Sequence, residues 1–294
     1  IEARWGVDEM QDFQESIQKF SEEIFDAVMT VEGINQEKAL CVAKASVAFQ
    51  RTIFKAACIE ESDLTEQRLI LQVNSKQCGS RNVLNPPWED LLVSNPNAHV
   101  VSYALNNEKW DTLTTKGVPW WKRVYIAGVH TLLYRVLFRL EKYLPSILFN
   151  KQVLIPNENE LSIEILSALA LRRCKLTGIE KKKSIANDNN KKFLIINEAI
   201  KSVVAERMGK WITPGLTSKC EDMFFNEVDE RLNLFDKLVE QWHYSIPSNN
   251  NKIKSVLLIN SPVSTKWLAL VNVCRKKGVP VISVQHGGTH EINP

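Results

Sequence analysis

The chain has almost no net charge, no clustered metal ligands and no long apolar run, and each absence removes a class of function. Its 294 residues carry 37 Lys and Arg against 34 Asp and Glu, a net charge of +3. Binding driven by phosphate contacts needs a larger basic excess, so nucleic acid is not expected as a partner. Six cysteines, Cys41, Cys58, Cys78, Cys174, Cys220 and Cys274, lie scattered, with no CxxC and no Cys/His cluster. Thiolate zinc sites need close-spaced ligands, so no metal and no cofactor is expected. No secretory signal opens the chain, which points to reduced thiols in the cytoplasm. No uncharged apolar run approaches the roughly 20 residues that span a bilayer. The motifs GxGxxG, GxxxxGK[ST], HExxH and GxSxG are also missing, which leaves the common nucleotide, zinc-protease and serine-esterase signatures unfilled.

What is present is an ordinary globular composition, 44% hydrophobic and 24% charged, in a length suited to one large or two modest domains. We expect a helical segment over 1–82 and an α/β domain over 83–294. Phe13, Ile17, Phe20, Ile24 and Phe25 recur at helical spacing within a stretch, 8–72, that reads as helices. A second helix is expected from near Asn35, with Ala39, Val42, Ala45, Phe49 and Ile53 on one side; core packing explains both stripes. Residues 75–88, with Pro86-Pro87, read as a loop before a short helix at 89–93, and 99–105 as a strand.

Trp110, Trp120 and Trp121 precede Lys122-Arg123 and a predicted helix over 124–144, ended by Pro145. It is apolar around much of its circumference, with Arg135, Arg139 and Lys142 among the remaining positions. A cationic, Trp-flanked amphipathic helix suits a membrane interface, making 120–144 a candidate membrane-surface contact; a core helix with a solvated basic edge is the alternative.

Beyond it the pattern alternates. Residues 152–155 read as a strand, and Asn157-Glu158-Asn159-Glu160 opens a helix to Leu171, with Asn157 as cap. The polar, basic stretch 178–192 reads as an exposed loop. Phe193–Asn197 reads as a strand or as the first turn of a helix to Met208; a long helix follows over 218–244, then an Asn-rich linker at 248–251. SVLLI at 255–259, a turn at 260–264, an amphipathic helix over 265–277 stopped by Gly278, and VPVISV at 279–284 form a βαβ unit with two buried strands. The fold class expected is therefore α/β, a Rossmann-like parallel sheet with a helical N-terminal segment.

Gln285-His286-Gly287-Gly288 follows the last of those strands. Ligands gather at the carboxyl ends of strands in open parallel sheets. Two glycines admit close backbone approach, and a histidine there can move a proton or donate to an anion, or merely pack the strand end. His286 is the first catalytic candidate; Thr289 and His290 follow it. Asn260, Ser261 and Ser264 end the preceding strand on the same edge and either face the cleft or cap the next helix. Glu158, Glu160 and Glu164 mark another strand-to-helix junction, with Glu160 and then Glu158 as candidate base, nucleophile or hydroxyl ligand.

GVPVISVQHGG resembles the segment before the domain junction in bacterial GT-B glycosyltransferases of surface-polysaccharide synthesis, including Kdo-transferase-like and, more distantly, teichoic-acid-transferase-like enzymes. NPPWEDLLVSNPN and NENELSIEILSALALR also resemble parts of their N-terminal halves. The resemblance implies an acceptor-side Rossmann-like domain followed by a nucleotide-sugar domain. Because the chain opens on Ile1 and closes at Pro294 just after the Gly-rich turn, it is expected to be part of a longer protein, cut near the start of that second domain. By resemblance His286 is the active-site histidine, Gly287 and Gly288 shape its loop, and Glu158 or Glu160 supplies a carboxylate. Asn260-Ser261 stands where a retaining enzyme with a carboxylate nucleophile would show an aspartate.

The function expected is sugar transfer from a nucleotide-sugar donor to a growing surface glycan, free or lipid-linked, at the inner face of the bacterial membrane. A non-catalytic nucleotide- or glycan-binding module is the rival, and an esterase with a His-Gly-Gly oxyanion loop a further one that lacks its nucleophile elbow.

Overall fold

An apolar residue every third or fourth position places Phe13, Ile17, Phe20, Ile24 and Val28 on one helix face. The computed structural model describes residues 6–61, 68–73, 91, 97–103, 136, 151–156, 163–179, 190–212, 214–246, 253–258 and 264–283. In it α1 (Val7–Met29) buries all five of those side chains. The Glu9 carboxylate accepts from the Gly6 N–H at 2.6 Å, which satisfies one donor left over at the helix start. Helix α2 (Gln36–Glu61) begins where Asn35 caps it: the Lys38 N–H donates to Asn35 Oδ1 at 2.9 Å. Ala39, Val42, Ala45, Phe49 and Ile53 are buried along it.

The helical reading fails before Gln72. Arg68–Val73 is a strand, β1, paired in parallel with β2 (Ala98–Tyr103) from Arg68↔Ala98 to Val73↔Tyr103. A short aliphatic run has the same local pattern in a strand as in a buried helical turn, and pairing with a distant segment decides between them.

Two compact units emerge, one from residues 1–111 and 188–233, the other from 112–187 and 234–294. The boundary expected at 82/83 falls inside the opening stretch of the first unit. Residues 188–233 join the N-terminal helices because they carry matching stripes. Phe193, Ile196, Ile200, Val204 and Met208 line α4 (Asn190–Trp211), and Cys220, Phe224, Val228 and Leu232 line the first part of α5 (Pro214–Ser245). Of the two readings of Phe193–Asn197, the helix is the one formed. The four helices share one core, in which the Phe224 ring lies 5.6 Å from Phe20 and 5.5 Å from Phe49. Trp211 meets Phe13 and Phe20 edge-on at 5.7 Å each, an arrangement that the ring quadrupoles favour.

The second unit contains a four-stranded, all-parallel sheet. Its strands are β3 (Lys151–Ile155), β4 (Cys174–Gly178), β5 (Ile253–Leu258) and β6 (Val281–Ser283), in the order β4-β3-β5-β6. The protein is thus α/β, mostly helical, with a small parallel sheet. Helix α3 (Ile163–Leu171) joins β3 to β4, and α6 (Thr265–Lys276) joins β5 to β6. Strand β4 went unforeseen, although Cys174 and Leu176 are buried and alternate with half-buried Lys175 and Thr177. Strand β5 starts two residues ahead of its expected place. Its register with β3 slips between Gln152↔Ile253 and Val153↔Ser255, so Lys254 is the extra residue.

Strand β6 departs from the reading of a fully buried strand: it has three residues, and Ile282 is 51% exposed. It is the outermost strand, with β5 its one partner among the described residues.

The last part of α5 docks on α6 through Trp242 and Trp267, stacked at 6.5 Å, with the Trp242 indole N–H donating to the Lys266 carbonyl at 3.3 Å. The Lys277 ammonium donates to the carbonyls of His243 and Ile246, answering acceptors left open at the end of α5. Helix α6 stops at Gly278 as expected. Gly278 takes φ +66°, its N–H reaches the Arg275 carbonyl, and the Val279 N–H reaches the Cys274 carbonyl at 2.9 Å, the paired bonds of a Schellman turn.

The expected loops at 75–88 and 248–251 lie outside the described residues, as do the helices at 89–93 and 124–144 except for Leu91 and Val136. Leu91 is helical and buried, and Val136 is helical and exposed. Among the described residues no helix is long and apolar enough to cross a membrane.

Two glycines should respond oppositely to alanine. A Cβ at helical Gly209 meets nothing within 4 Å, so Gly209→Ala should raise stability by roughly 0.5–1 kcal/mol. Gly278→Ala forces a side chain into a left-handed conformation and should lower it by about 1–2 kcal/mol; urea midpoints check both.

A second prediction concerns acid. Arg207 grips Glu23 through Nε, at 2.7 Å, and through Nη2. That hydrogen bond, opposed in part by burial, holds the Glu23 carboxyl below its ordinary range. A carboxylate lowered in the folded state contributes stability above its unfolded pKa and loses it as pH falls through the folded one. Glu23→Gln should therefore destabilise by about 1 kcal/mol at neutral pH. The gap should close as the pH falls below about 4; unfolding titrations at the two pH values, wild type beside variant, read it directly.

Candidate functional site

Parallel pairing brings the carboxyl ends of all four strands to one edge. Thr177, Leu154, Val256 and Val281 form one row across the sheet; Ile155 pairs with Gly178, and Leu258 with Ser283. The strands therefore end within about one residue of a common level. In chain succession the second strand lies on one side of the first, while the third and fourth lie on the other. The sheet thus grows in opposite directions from the β3/β5 junction, where flanking connections leave a crevice in open α/β sheets.

Glu158, Glu160, Asn260, Ser261, Gln285, His286, Gly287, Gly288, Thr289 and His290 belong to segments that leave this edge and lie outside the described residues, whereas Glu164 lies within α3 and Ser264 stands just before α6. Glu158 and Glu160 stand three and five positions past Ile155, and Asn260 and Ser261 two and three past Leu258. Gln285, His286, Gly287, Gly288 and His290 follow Ser283 after one intervening residue. The structure brings the strand ends together; it does not describe the candidate side chains.

Among described residues at this edge, Ser264 is informative. It occupies the N-cap position of α6, with φ −80° and ψ 150°, and its carbonyl accepts from Trp267 and Leu268. Its hydroxyl makes no capping bond and is exposed, contrary to the capping role weighed for it. Since α6 returns the chain from the end of β5 to the start of β6, its N-terminal N–H groups lie at the strand-end edge. Such groups favour an anion.

Strand β4 adds a segment that sequence reasoning set aside. The polar stretch after Gly178 also starts from this edge, and the Ile179 N–H is tied to the Ile155 carbonyl at 3.1 Å. The signal was the short alternation at 174–177, which is too brief to be read without its partner strand.

No group of three or more His, Cys, Asp and Glu able to hold a metal occurs among the described residues. Cys41, Cys174, Cys220 and Cys274 are buried thiols outside any disulfide. Burial pushes the Cys274 thiol up to about 12, against a smaller opposite pull from Lys277. Burial keeps reagent from all four, and at Cys274 it also suppresses the reactive thiolate, so iodoacetamide at pH 8 should leave them unmodified in the native protein and label them after denaturation. Peptide mapping that finds carbamidomethylated Cys274 in the native sample would contradict the burial.

No protein-family model, no curated protein and no solved structure matches the chain.

Proposed function

We propose that the protein is a glycosyltransferase carrying a sugar from a nucleotide-sugar donor to a growing bacterial surface glycan. In this reading the parallel sheet is the acceptor-side Rossmann-like half of a GT-B enzyme. The observation that carries the reading is the common strand-end edge: connections bearing a glutamate pair and an Asn-Ser pair leave β3 and β5, the two strands that flank a reversal of sheet order, and the Gln-His-Gly-Gly segment follows β6, the next strand. Open parallel sheets bind ligands at such a place. The start of α6, where Ser264 makes no side-chain capping bond, and the exposed Ser264 hydroxyl add groups suited to a diphosphate.

In the reaction an acceptor hydroxyl attacks the anomeric carbon. The bond from that carbon to the donor phosphate oxygen breaks, and the nucleotide leaves with the electron pair. Glu160, or Glu158, takes the hydroxyl proton, and His286 donates to the departing phosphate, whose negative charge grows as the bond lengthens. Gly287 and Gly288 let the backbone approach that phosphate, and Gln285, Asn260, Ser261 and His290 hydrogen-bond the sugars. No metal is required by this scheme. The protein works at the inner face of the membrane, with 120–144 as a surface contact.

Full-length protein supplied with CMP-, UDP- and GDP-linked sugars and a glycan extract should release nucleotide from one donor class. His286→Ala should slow release by about 10²–10⁴-fold with the circular dichroism spectrum unchanged. Release unaffected by the substitution would remove His286 from the mechanism. Saturable nucleotide binding without release would make the protein a binding module instead.

A further inference from the structure

The small net charge conceals a large internal separation. The first unit has 17 Lys and Arg against 26 Asp and Glu, a balance of −9; the second has 20 against 8, a balance of +12. Within the second unit, part of that charge gathers where the parallel strands begin. Lys151 opens β3 and pairs with Cys174, the first residue of β4, directly after Arg172 and Arg173. At the other side of the sheet, α6 brings Arg275, Lys276 and Lys277 to the start of β6. Lys277 is occupied with the end of α5. Lys151, Arg172, Arg173 and Lys276 are exposed and have no carboxylate partner among the described residues.

Helix dipoles account for only part of this. The ends of α3, α5 and α6 lie at this edge, each worth roughly half a negative charge, and basic residues in the last turn of α6 answer that. They do not account for Arg173, a non-glycine residue at φ +59°, a conformation that disfavours any side chain with a Cβ. Nor do they account for the two large apolar side chains exposed beside the cations, Leu171 at 63% and Tyr244 at 59%. Leu171 immediately precedes Arg172, and Tyr244 adjoins the carbonyl that Lys277 holds. Cations interspersed with an aliphatic residue and a tyrosine match the chemistry of a bilayer interface, where headgroups carry negative charge and amphipathic rings settle at the boundary.

We propose that this strand-start edge is a docking surface for an anionic lipid bilayer, with Lys151, Arg172, Arg173 and Lys276 on the headgroups and Leu171 and Tyr244 entering the interface. Its residues lie outside 120–144 in the sequence, and the proposal stands apart from the transferase reading, because vesicle binding requires no donor sugar.

The test is flotation of full-length protein with phosphatidylcholine vesicles, with and without phosphatidylglycerol. Binding should require phosphatidylglycerol, weaken with added salt, and fall about fivefold for each cation removed in Arg172→Ser, Arg173→Gly and Lys276→Ser. Arg173→Gly also relieves the left-handed strain, so its thermal midpoint should rise while its binding falls, which separates lost docking from lost folding. Equal binding to both vesicle types would overturn the proposal. So would loss confined to Arg135→Gln, Arg139→Gln and Lys142→Gln with the edge variants unaffected. Capture of duplex DNA through the edge cations, with none on vesicles, would replace the bilayer by nucleic acid.

Discussion

Parallel pairing of β3 with β4 on one side and β5 on the other is the constraint on which the second unit depends. Parallel strands cannot be joined by a tight turn, so every connection must carry the chain back along the full strand length. Helices α3 and α6 do this, with α6 stopped by the Gly278 turn and α5 tied down beside it by Lys277 and the Trp242–Trp267 stack. All four strands consequently start at one edge and finish at the other, and the two edges acquire different chemistry.

That separation bears on both proposals. Residues that can move protons or grip phosphates follow the strand ends, whereas cations without a carboxylate partner among the described residues, Lys151, Arg172, Arg173 and Lys276, collect at the strand starts. A five-residue strand is about 17 Å long, so a bilayer at the starting edge leaves the candidate site well above the headgroups.

The first unit follows a simpler rule. Stripes on α1, α2, α4 and α5 meet in one aromatic-rich core, α2 also burying Glu37, Lys38, Ser46, Thr52 and Lys55, and the unit as a whole is acidic. Glu23 and Arg207 join helices distant in sequence by a two-point contact. The buried phenylalanines set the packing; the ion pair adds a modest, pH-dependent increment.

The long helices, the stripes they bury, the helix start near Asn35 and the Gly278 stop were legible in the sequence, because each depends on residues within a turn or two of one another. The β5-α6-β6 crossover was legible for the same reason. Strands β1 and β4 were not, since a run of five or six residues gains its identity from a partner far along the chain. The exposure of Ile282 was equally hidden: VPVISV reads as buried, and only its place at the sheet margin exposes it. Local sequence thus determined the helices and named His286 and Glu160 as candidates. Tertiary pairing alone decided the strand order, the reversal between β3 and β5, and the gathering of cations at the opposite edge, because those depend on contacts between residues that no short window contains together.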